Sequence, residues 1–214
     1  MSSNVIAICN QKGGVGKTTT AINLAAALAG IGKKILILDL DPQGNASTGL
    51  GIEYSERSNS IYEVLSRLIP FDDGIKKTNL ENLFILPSNV ELSGIEPELA
   101  NENDKAFVLK SIMNDSQSIN NYDYIFIDCP PALSLLTVMA MTAANSVLVP
   151  LQCEFFALEG LSQLIKTVDR VHKNLNPLLS IDGIIWTMFD KRNKLSTQVA
   201  MDVKKHLQEK VFDT

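Results

Sequence analysis

The chain has 214 residues, a length typical of one large domain, and we expect a single domain over residues 1–214. Its formal net charge of −5 excludes a polycation, so any binding to nucleic acid must come from a local basic patch or from a dimer. The three cysteines lack the paired spacing of a zinc site or a redox couple, and no apolar run reaches transmembrane length, so we expect a cytoplasmic protein with no membrane partner.

A glycine-rich loop between an apolar run and an alanine-rich segment is the first pattern along the chain. Residues 4–9 predict a strand and residues 18–29 a helix, so the loop has the order strand, loop, helix. Its glycines leave backbone N–H groups free to bind an anion, Lys17 adds a positive charge, and Thr18 offers a hydroxyl to a magnesium ion. The helix N-terminus contributes further N–H groups and its dipole. The loop therefore predicts a nucleotide phosphate site rather than a tight turn without chemistry.

The loop departs from the usual phosphate-binding pattern at one position. The pattern Gly-x-x-x-x-Gly-Lys-Thr requires a glycine where this chain has Gln11. A second lysine, Lys12, lies five positions before Lys17. A glycine-rich turn that binds nothing would not need two lysines, so Lys12 indicates a more specialised site.

Apolar runs alternate with helical periodicities along the rest of the chain. Such alternation favours right-handed crossovers and a parallel sheet covered on both sides. We therefore predict an α/β fold with one doubly wound, mostly parallel sheet and helices on both faces, of the P-loop type. Residues 42–51 predict a polar loop, and the form of residues 88–104 is left open. The further strands are predicted at 34–41, 83–87, 122–128, 146–150 and 181–188, and the further helices at 60–68, 105–119, 133–144, 156–175 and 195–211.

Aspartates follow several of these strands, at the edge where ligands bind in open α/β sheets. A lone aspartate at a strand end is more often a helix cap or a solvated loop acid, but several together favour a site. Phosphoryl transfer needs a phosphate cradle, a magnesium ion, a carboxylate that supports the ion and a group that orients water. Lys17 would bridge the β- and γ-phosphates, Thr18 would bind magnesium, Asp128 is placed as the supporting carboxylate, and Asp41 or Asp39 could orient water.

Five ordered motifs together resemble one family. They are KGGVGKTT with Lys12, LDLDPQGNAS around Asp39 and Asp41, YIFIDCPP with Asp128, VPLQCEFFALEGL around Glu154, and TMFDKR after the last strand. Together they resemble the ParA/Soj partition ATPases of the deviant Walker A class. The similarity runs over nearly the whole chain, whereas the phosphate loop alone would also fit other relatives of that class.

The resemblance implies ATP or ADP with Mg²⁺ as cofactors and a role for each matching residue. Lys12 matches the signature lysine, which in the ATP-bound homodimer reaches the partner's nucleotide and acts in trans. Asp41 matches the residue that positions water, and Asp39 supports the metal with Asp128 and Thr18. Catalysis is thus implied for Lys12, Lys17, Asp41 and Asp39. Nucleotide contacts are implied for Gly13, Gly14, Val15, Gly16, Lys17, Thr18 and Thr19, for Glu154 near the partner's nucleotide, and for Met188 and Asp190 beside the adenine.

The resemblance also implies partners. Arg192 matches a basic position that holds double-stranded DNA without sequence preference, and Lys191 and Lys194 could supplement it through phosphate contacts. Lysines on an amphipathic helix are otherwise simply its solvated face. A ParB-like protein would stimulate hydrolysis, and the protein would associate with the nucleoid.

Two other functions compete with this interpretation. A membrane-associated positioning ATPase of the MinD kind would need a C-terminal amphipathic anchor helix, which the chain does not show beyond the helix that ends near residue 211. An electron-transfer iron protein would need cluster cysteines, and Cys129 has no partner at a suitable spacing. Members of the resembled family usually continue for some tens of residues beyond this point, so we expect the C-terminal part to be missing.

Overall fold

A computed structural model describes residues 3–207 and 210–212, which include a seven-stranded sheet. The strand order is β3-β4-β2-β5-β1-β6-β7, and every neighbouring pair is parallel except β3 with β4. Parallel neighbours require crossovers, which the intervening helices provide. The strands are β1 (Asn4–Ile8), β2 (Ile35–Asp39), β3 (Lys76–Lys77), β4 (Leu83–Leu86), β5 (Tyr124–Asp128), β6 (Ser146–Gln152) and β7 (Ser180–Thr187).

Helices cover both faces of the sheet, because alternate strand residues point to opposite sides. On one face Ile6 and Ile8 of β1 pack with the buried alanines of α1, which recur every four residues at positions 21, 25 and 29. On the other face Val5 and Ala7 join the cluster that includes residues of α3 to α8. The helices are α1 (Lys17–Gly30), α2 (Asn45–Gly49), α3 (Ile61–Leu65), α4 (Ile95–Glu98), α5 (Val108–Asp115), α6 (Leu135–Ala143), α7 (Ala157–Asn174) and α8 (Lys194–Leu207). The predicted fold class is confirmed.

The central strands bring the predicted carboxylates together. β1 lies between β5 and β6, and β2 lies on the other side of β5. In the register, Asp39 at the end of β2 is opposite Asp128 at the end of β5, and Ile8 at the end of β1 is opposite Asp128 as well. The glycine loop leaves β1 at the same edge, so phosphate loop and carboxylates share one end of the sheet.

The prediction of a polar loop over residues 42–51 is wrong, because this segment contains α2. Gly44 precedes the helix in the left-handed conformation, at φ 62°. The buried carboxylate of Asp39 accepts hydrogen bonds from the backbone and side chain of Ser47 and so holds the helix against the sheet. A short sequence of Asn, Ser and Thr has weak helical preference, and this tertiary contact overrides it.

Several predicted boundaries are also wrong. The helix predicted at 60–68 ends at Leu65, after which Arg67 has a positive φ of 59°. The helix predicted at 105–119 begins with a 3-10 turn and ends at Asp115. The backbone of Ser116 is extended, and the hydroxyls of Ser116 and Ser118 donate to Asp72 and hold the chain in this turn. The short β3 and the α4 helix were not predicted.

The last predicted helix, 195–211, does not reach its predicted end. Val211 instead forms an isolated parallel bridge with Ile184 of β7, and the N–H of Phe212 donates to the carbonyl of Ile184. Residues 208 and 209 of this prediction lie outside the described residues. Among the helices that the structure describes, none combines the length and the apolar character needed to cross a membrane.

Candidate functional site

The glycine loop forms an open cradle at the N-terminus of α1. Gly14 and Gly16 have φ of 74° and 85°, a backbone conformation that residues with a side chain rarely adopt. Gly16 is the residue that precedes α1, so the first N–H groups of the helix face the loop. The ammonium of Lys17 donates to the carbonyl of Lys12 at 2.9 Å, across the loop. Burial lowers the pKa of Lys17, against the opposing effect of the Asp128 charge.

A cavity of about 830 Å³ lies over this cradle, a volume in the range of small-molecule and cofactor sites. Its walls come from the loop, the first turns of α1, the segment after β2 and the end of β7. Of the residues singled out from the sequence, Gly13, Gly14, Gly16, Lys17, Thr18, Thr19, Asp41 and Met188 line it. The tertiary structure adds Gln43, Asn45, Pro131 and Thr187, among others.

Asp128 lies beneath the cradle, fully buried at the end of β5. Neither of its carboxylate oxygens has a hydrogen-bond partner among the described residues. Burial, and next the charge of Asp39, raise the pKa of Asp128 to about 7. The Thr18 hydroxyl favours the charged form but is not placed for a hydrogen bond of normal geometry. A buried, unpaired carboxylate beside a hydroxyl is a donor set that fits a hydrated magnesium ion.

Magnesium is compatible with the small number of acidic side chains here. Within the described part of the chain, no group of three or more His, Cys, Asp or Glu residues could hold a metal ion by itself. Mg²⁺ usually keeps several waters and is bound through one or two protein oxygens together with substrate phosphates. Thr18 and Asp128 would be the protein residues that hold Mg²⁺, with waters and nucleotide phosphates as its other ligands.

Asp39 and Asp41 have different surroundings. Oδ2 of Asp39 accepts from the N–H and the hydroxyl of Ser47 at 2.8 and 2.7 Å, and Oδ1 accepts from the N–H of Asp41 at 3.2 Å. Burial raises the pKa of Asp39 to about 6. Asp41 lines the cavity and accepts from the N–H of Gln43 at 3.0 Å. These contacts favour Asp39 as a residue that positions Asp41 and α2, and direct metal support by Asp39 stays a prediction.

Lys12 and Glu154 form an ion pair with each other. Glu154 follows β6, and both side chains are partly exposed, at 39% and 42%. The backbone of Lys12 belongs to the cradle, since its N–H donates to the Asn10 side chain at 3.0 Å, yet its ammonium lies on Glu154. The sequence motifs indicated both residues for a partner's nucleotide but did not indicate that they pair within one chain.

The loop after β7 carries the predicted adenine and DNA residues. Met188 lines the cavity, is 60% exposed and has a positive φ of 50°. Asp190 accepts from Nε and Nη2 of Arg192 at 3.0 and 2.8 Å, a two-point pairing that lowers the pKa of Asp190. Lys191 and Lys194 are exposed beside this pair. The structure therefore places Lys191, Arg192 and Lys194 together. The Asp190 carboxylate, predicted beside the adenine, is instead paired with Arg192.

Two residues of the site were given no role from the sequence. Thr187, the last residue of β7, donates from its hydroxyl to the carbonyl of Val15 at 2.8 Å. Asn10 is buried just before the loop, and its amide donates to the carbonyl of Pro150 at 2.7 Å. A polar residue directly after an apolar strand could have indicated Asn10. Thr187 stands first in the motif TMFDKR, but nothing local indicates its contact, because its partner is 172 residues away.

Comparisons with known proteins identify relatives of the whole chain. A family model described as "AAA domain" matches residues 3–181. The chromosome partitioning protein ParA of Caulobacter vibrioides is 52% identical over 100% of this chain and 81% of its own length. The sporulation initiation inhibitor protein Soj of Bacillus subtilis is 50% identical over 98% of this chain and 82% of its own length.

A solved structure has the same fold. Cobyrinic acid a,c-diamide synthase from Mycobacterium smegmatis, with a bound ATP analogue and magnesium, superposes with a TM-score of 0.89. It is 36% identical, and the match covers 96% of this chain and 83% of that one.

Proposed function

Because the chain belongs to the ParA/Soj family of chromosome-partitioning ATPases, we propose that it acts as an ATP-dependent dimeric switch. In this proposal ATP and Mg²⁺ bind in the cradle, two copies close on each other, and the dimer binds DNA without sequence preference. Hydrolysis, stimulated by a ParB-like partner, opens the dimer and releases the DNA. The residues 1–214 would act as one domain.

The chain's own residues provide the parts for ATP hydrolysis. The N–H groups at the start of α1 and the buried ammonium of Lys17 would bind the β- and γ-phosphates. Thr18 and Asp128 would hold magnesium, which when bound neutralises negative charge on the phosphates. Asp41 lines the cavity and would orient the attacking water. The ATP analogue and magnesium in the Mycobacterium smegmatis structure support this use of the cradle.

The position of Lys12 is the observation that carries the dimeric switch. Its backbone forms part of the cradle, but its ammonium contacts Glu154, and Lys12 is not one of the residues that line the cavity. Lys17 already supplies the ammonium of the chain's own cradle. A second, half-exposed lysine at the rim is therefore available to the nucleotide of another copy once its ion pair with Glu154 opens.

The exposed basic residues after β7 support DNA binding. Arg192, Lys191 and Lys194 project from one loop and the start of α8, and the Arg192 side chain is 91% exposed. A chain with a net charge of −5 can bind the DNA backbone only through such a local patch, and a dimer would present two of them.

The proposal is tested by titrating nonspecific double-stranded DNA with ADP and with ATP, in parallel with flotation of anionic liposomes. We expect DNA binding with ATP only, no flotation, and an ATP-dependent dimer in sedimentation that is lost in Lys12→Ala. Lys33→Ala is the matched control, because Lys33 is also a partly exposed lysine in an ion pair, with Asp123. Flotation without DNA binding, or equal dimer in Lys12→Ala and the parent, would contradict the proposal.

A further inference from the structure

Arg57 is a buried arginine, and among the described residues its side chain donates only to uncharged acceptors. It is 6% exposed and lies between a 3-10 turn and α3. Nε and Nη2 donate to the carbonyl of Ile52 at 3.1 and 2.7 Å, and Nη2 also donates to the hydroxyl of Thr48 at 2.8 Å. Nη1 donates to the carbonyls of Gly44 and Ser88 at 3.3 and 3.4 Å. We call Arg57 with these acceptors the Arg57 clamp.

Burying a guanidinium without a carboxylate is unfavourable unless its donors are satisfied in place. The planar fork of arginine can reach several oxygens at fixed angles, which a lysine ammonium cannot do. Here the guanidinium of Arg57 connects two segments that lie far apart in the sequence. Gly44 directly precedes α2 and Thr48 lies in its last turn, both after β2, whereas Ser88 lies after β4. The clamp therefore holds the segment after β2 against the neighbouring strand end.

The clamp is connected to Asp41 through Gly44. The N–H of Gly44 donates to the carbonyl of Asp41 at 2.8 Å, while the carbonyl of Gly44 accepts from Arg57. The packing at this point leaves no room for a side chain: a Cβ on Gly44 would collide with Nη1 of Arg57 and lie 3.0 Å from the carbonyl of Ser88. Gly44 also has the positive φ that favours glycine.

A second connection holds the same segment from below. The Ser47 hydroxyl donates to Asp39 at 2.7 Å and accepts from the N–H of Ser88 at 3.0 Å. Asp39 and the Arg57 clamp thus hold the segment from Asp41 to Gly49 at two points. Neither of them includes a residue of the phosphate loop.

We propose that Arg57 is a positioning residue for Asp41, an inference that rests on the proposed ATPase function of this site. The guanidinium sets where the Asp41 carboxylate lies relative to the phosphates, without touching the nucleotide. Loss of the clamp should therefore reduce turnover and leave nucleotide binding largely intact. A displacement of about 1 Å at a catalytic group can reduce the rate on the order of a hundredfold.

The test compares Arg57→Met and Arg57→Lys with the parent in ATP hydrolysis, ADP affinity and thermal unfolding. We expect kcat to fall on the order of tenfold to a hundredfold in Arg57→Met, with KM and ADP affinity within about twofold. Arg57→Lys should lose less, because it keeps the charge and some donors. Thr48→Val removes one of the acceptors of Arg57 and should disturb the fold less than Arg57→Met does. We expect it to lower kcat by a few fold. Arg170→Met, at an exposed arginine of α7, is the control.

Hydrogen exchange in the nucleotide-free protein gives a readout that does not depend on activity. The amides of residues 41–49 should exchange faster in Arg57→Met, and those of residues 13–19 should not. Unchanged exchange at 41–49, unchanged kcat, or an equal loss of kcat and ADP affinity would overturn the inference. A parent that hydrolyses no ATP would instead overturn the proposed function, and the exchange data would then decide on the clamp alone.

Discussion

At the scale of the residue, Asp128 is unfavourable for the stability of the fold and is the carboxylate proposed to hold magnesium. Its carboxylate is fully buried, has no hydrogen-bond partner among the described residues and lies beside Asp39 in the register of the sheet. Burial of an unpaired charge destabilises the folded protein, so the pKa of Asp128 is raised to about 7 from 3.8. A bound magnesium ion would compensate the charge of this buried carboxylate.

The raised pKa of Asp128 predicts a pH dependence of stability in the absence of magnesium and nucleotide. Between about pH 4 and pH 7 the folded protein binds more protons than the unfolded chain, so the free energy of unfolding falls as the pH rises through this window. Asp128→Asn removes the charged form and should be more stable than the parent at pH 8, by about 1–4 kcal/mol at about 1.4 kcal/mol per pKa unit. Below pH 4 this advantage should disappear.

Denaturant unfolding at pH 5 and pH 8 in the presence of a chelator measures the difference. Asp169→Asn, at an exposed aspartate of α7, controls for the loss of one negative charge. A stability difference between Asp128→Asn and the parent that is the same at both pH values would contradict this explanation.

At the scale of elements, the site depends on contacts between segments that are distant in the chain. The phosphate loop follows β1 and precedes α1, but its conformation is also supported from β7 through the hydrogen bond of Thr187 to the carbonyl of Val15. Gly16 lies against Thr187 as well, with its hypothetical Cβ 3.5 Å from Cγ2 of Thr187. The edge strand of the parallel part of the sheet thus contributes to the cradle.

We expect Thr187→Val to weaken ADP and ATP binding by about twofold to tenfold. The substitution keeps the shape of the side chain but removes a hydrogen bond worth roughly 0.5–1.5 kcal/mol that holds the loop. Thr167→Val is the matched control, since the Thr167 hydroxyl also donates to a backbone carbonyl, but within α7. Calorimetric titration of both variants measures the effect, and equal ADP affinity in Thr187→Val and the parent would refute a role of β7 in the cradle.

At the scale of the whole molecule, the acidic net charge would confine the proposed DNA contacts to a small area. The net charge is −5, and the basic residues after β7 lie together on one exposed loop and helix start. The pairing with Asp190 holds the Arg192 guanidinium in a defined position. A bound DNA backbone would compete with Asp190 for that guanidinium.

Arg192→Glu should abolish binding to nonspecific DNA in the presence of ATP, while the ATP-dependent dimer persists. The substitution reverses a charge at the centre of the patch and leaves the cradle unchanged. A gel shift or anisotropy titration at two salt concentrations measures binding, because contacts to phosphates weaken steeply with salt. Arg67→Glu, at an exposed arginine paired with Glu102, is the control. DNA binding by Arg192→Glu that equals the parent would refute the patch.

The sequence by itself determined the fold class, the cradle and the acids beneath it. These features are local: an apolar run, glycines that allow a positive φ, and an aspartate directly after a strand can each be recognised within about ten residues. Parallel strands then place all of their carboxyl ends at one edge, so Asp39, Asp41 and Asp128 could be expected near Lys17 without any coordinates. Element ends were less predictable, because side chains such as Asp72 and Asp39 stop or hold helices from a distance.

Only the tertiary structure decided which of these residues contact each other. The pair Lys12–Glu154, the bond from Thr187 to Val15 and the Arg57 clamp join residues that are 142, 172 and up to 31 positions apart, and no periodicity in the sequence encodes such pairs. The sequence motifs indicated Lys12 as the unusual residue of the loop. The fold shows that in the single chain its ammonium is held by Glu154, because β6 continues past its pairing with β1 and brings the carboxylate to the rim of the cradle.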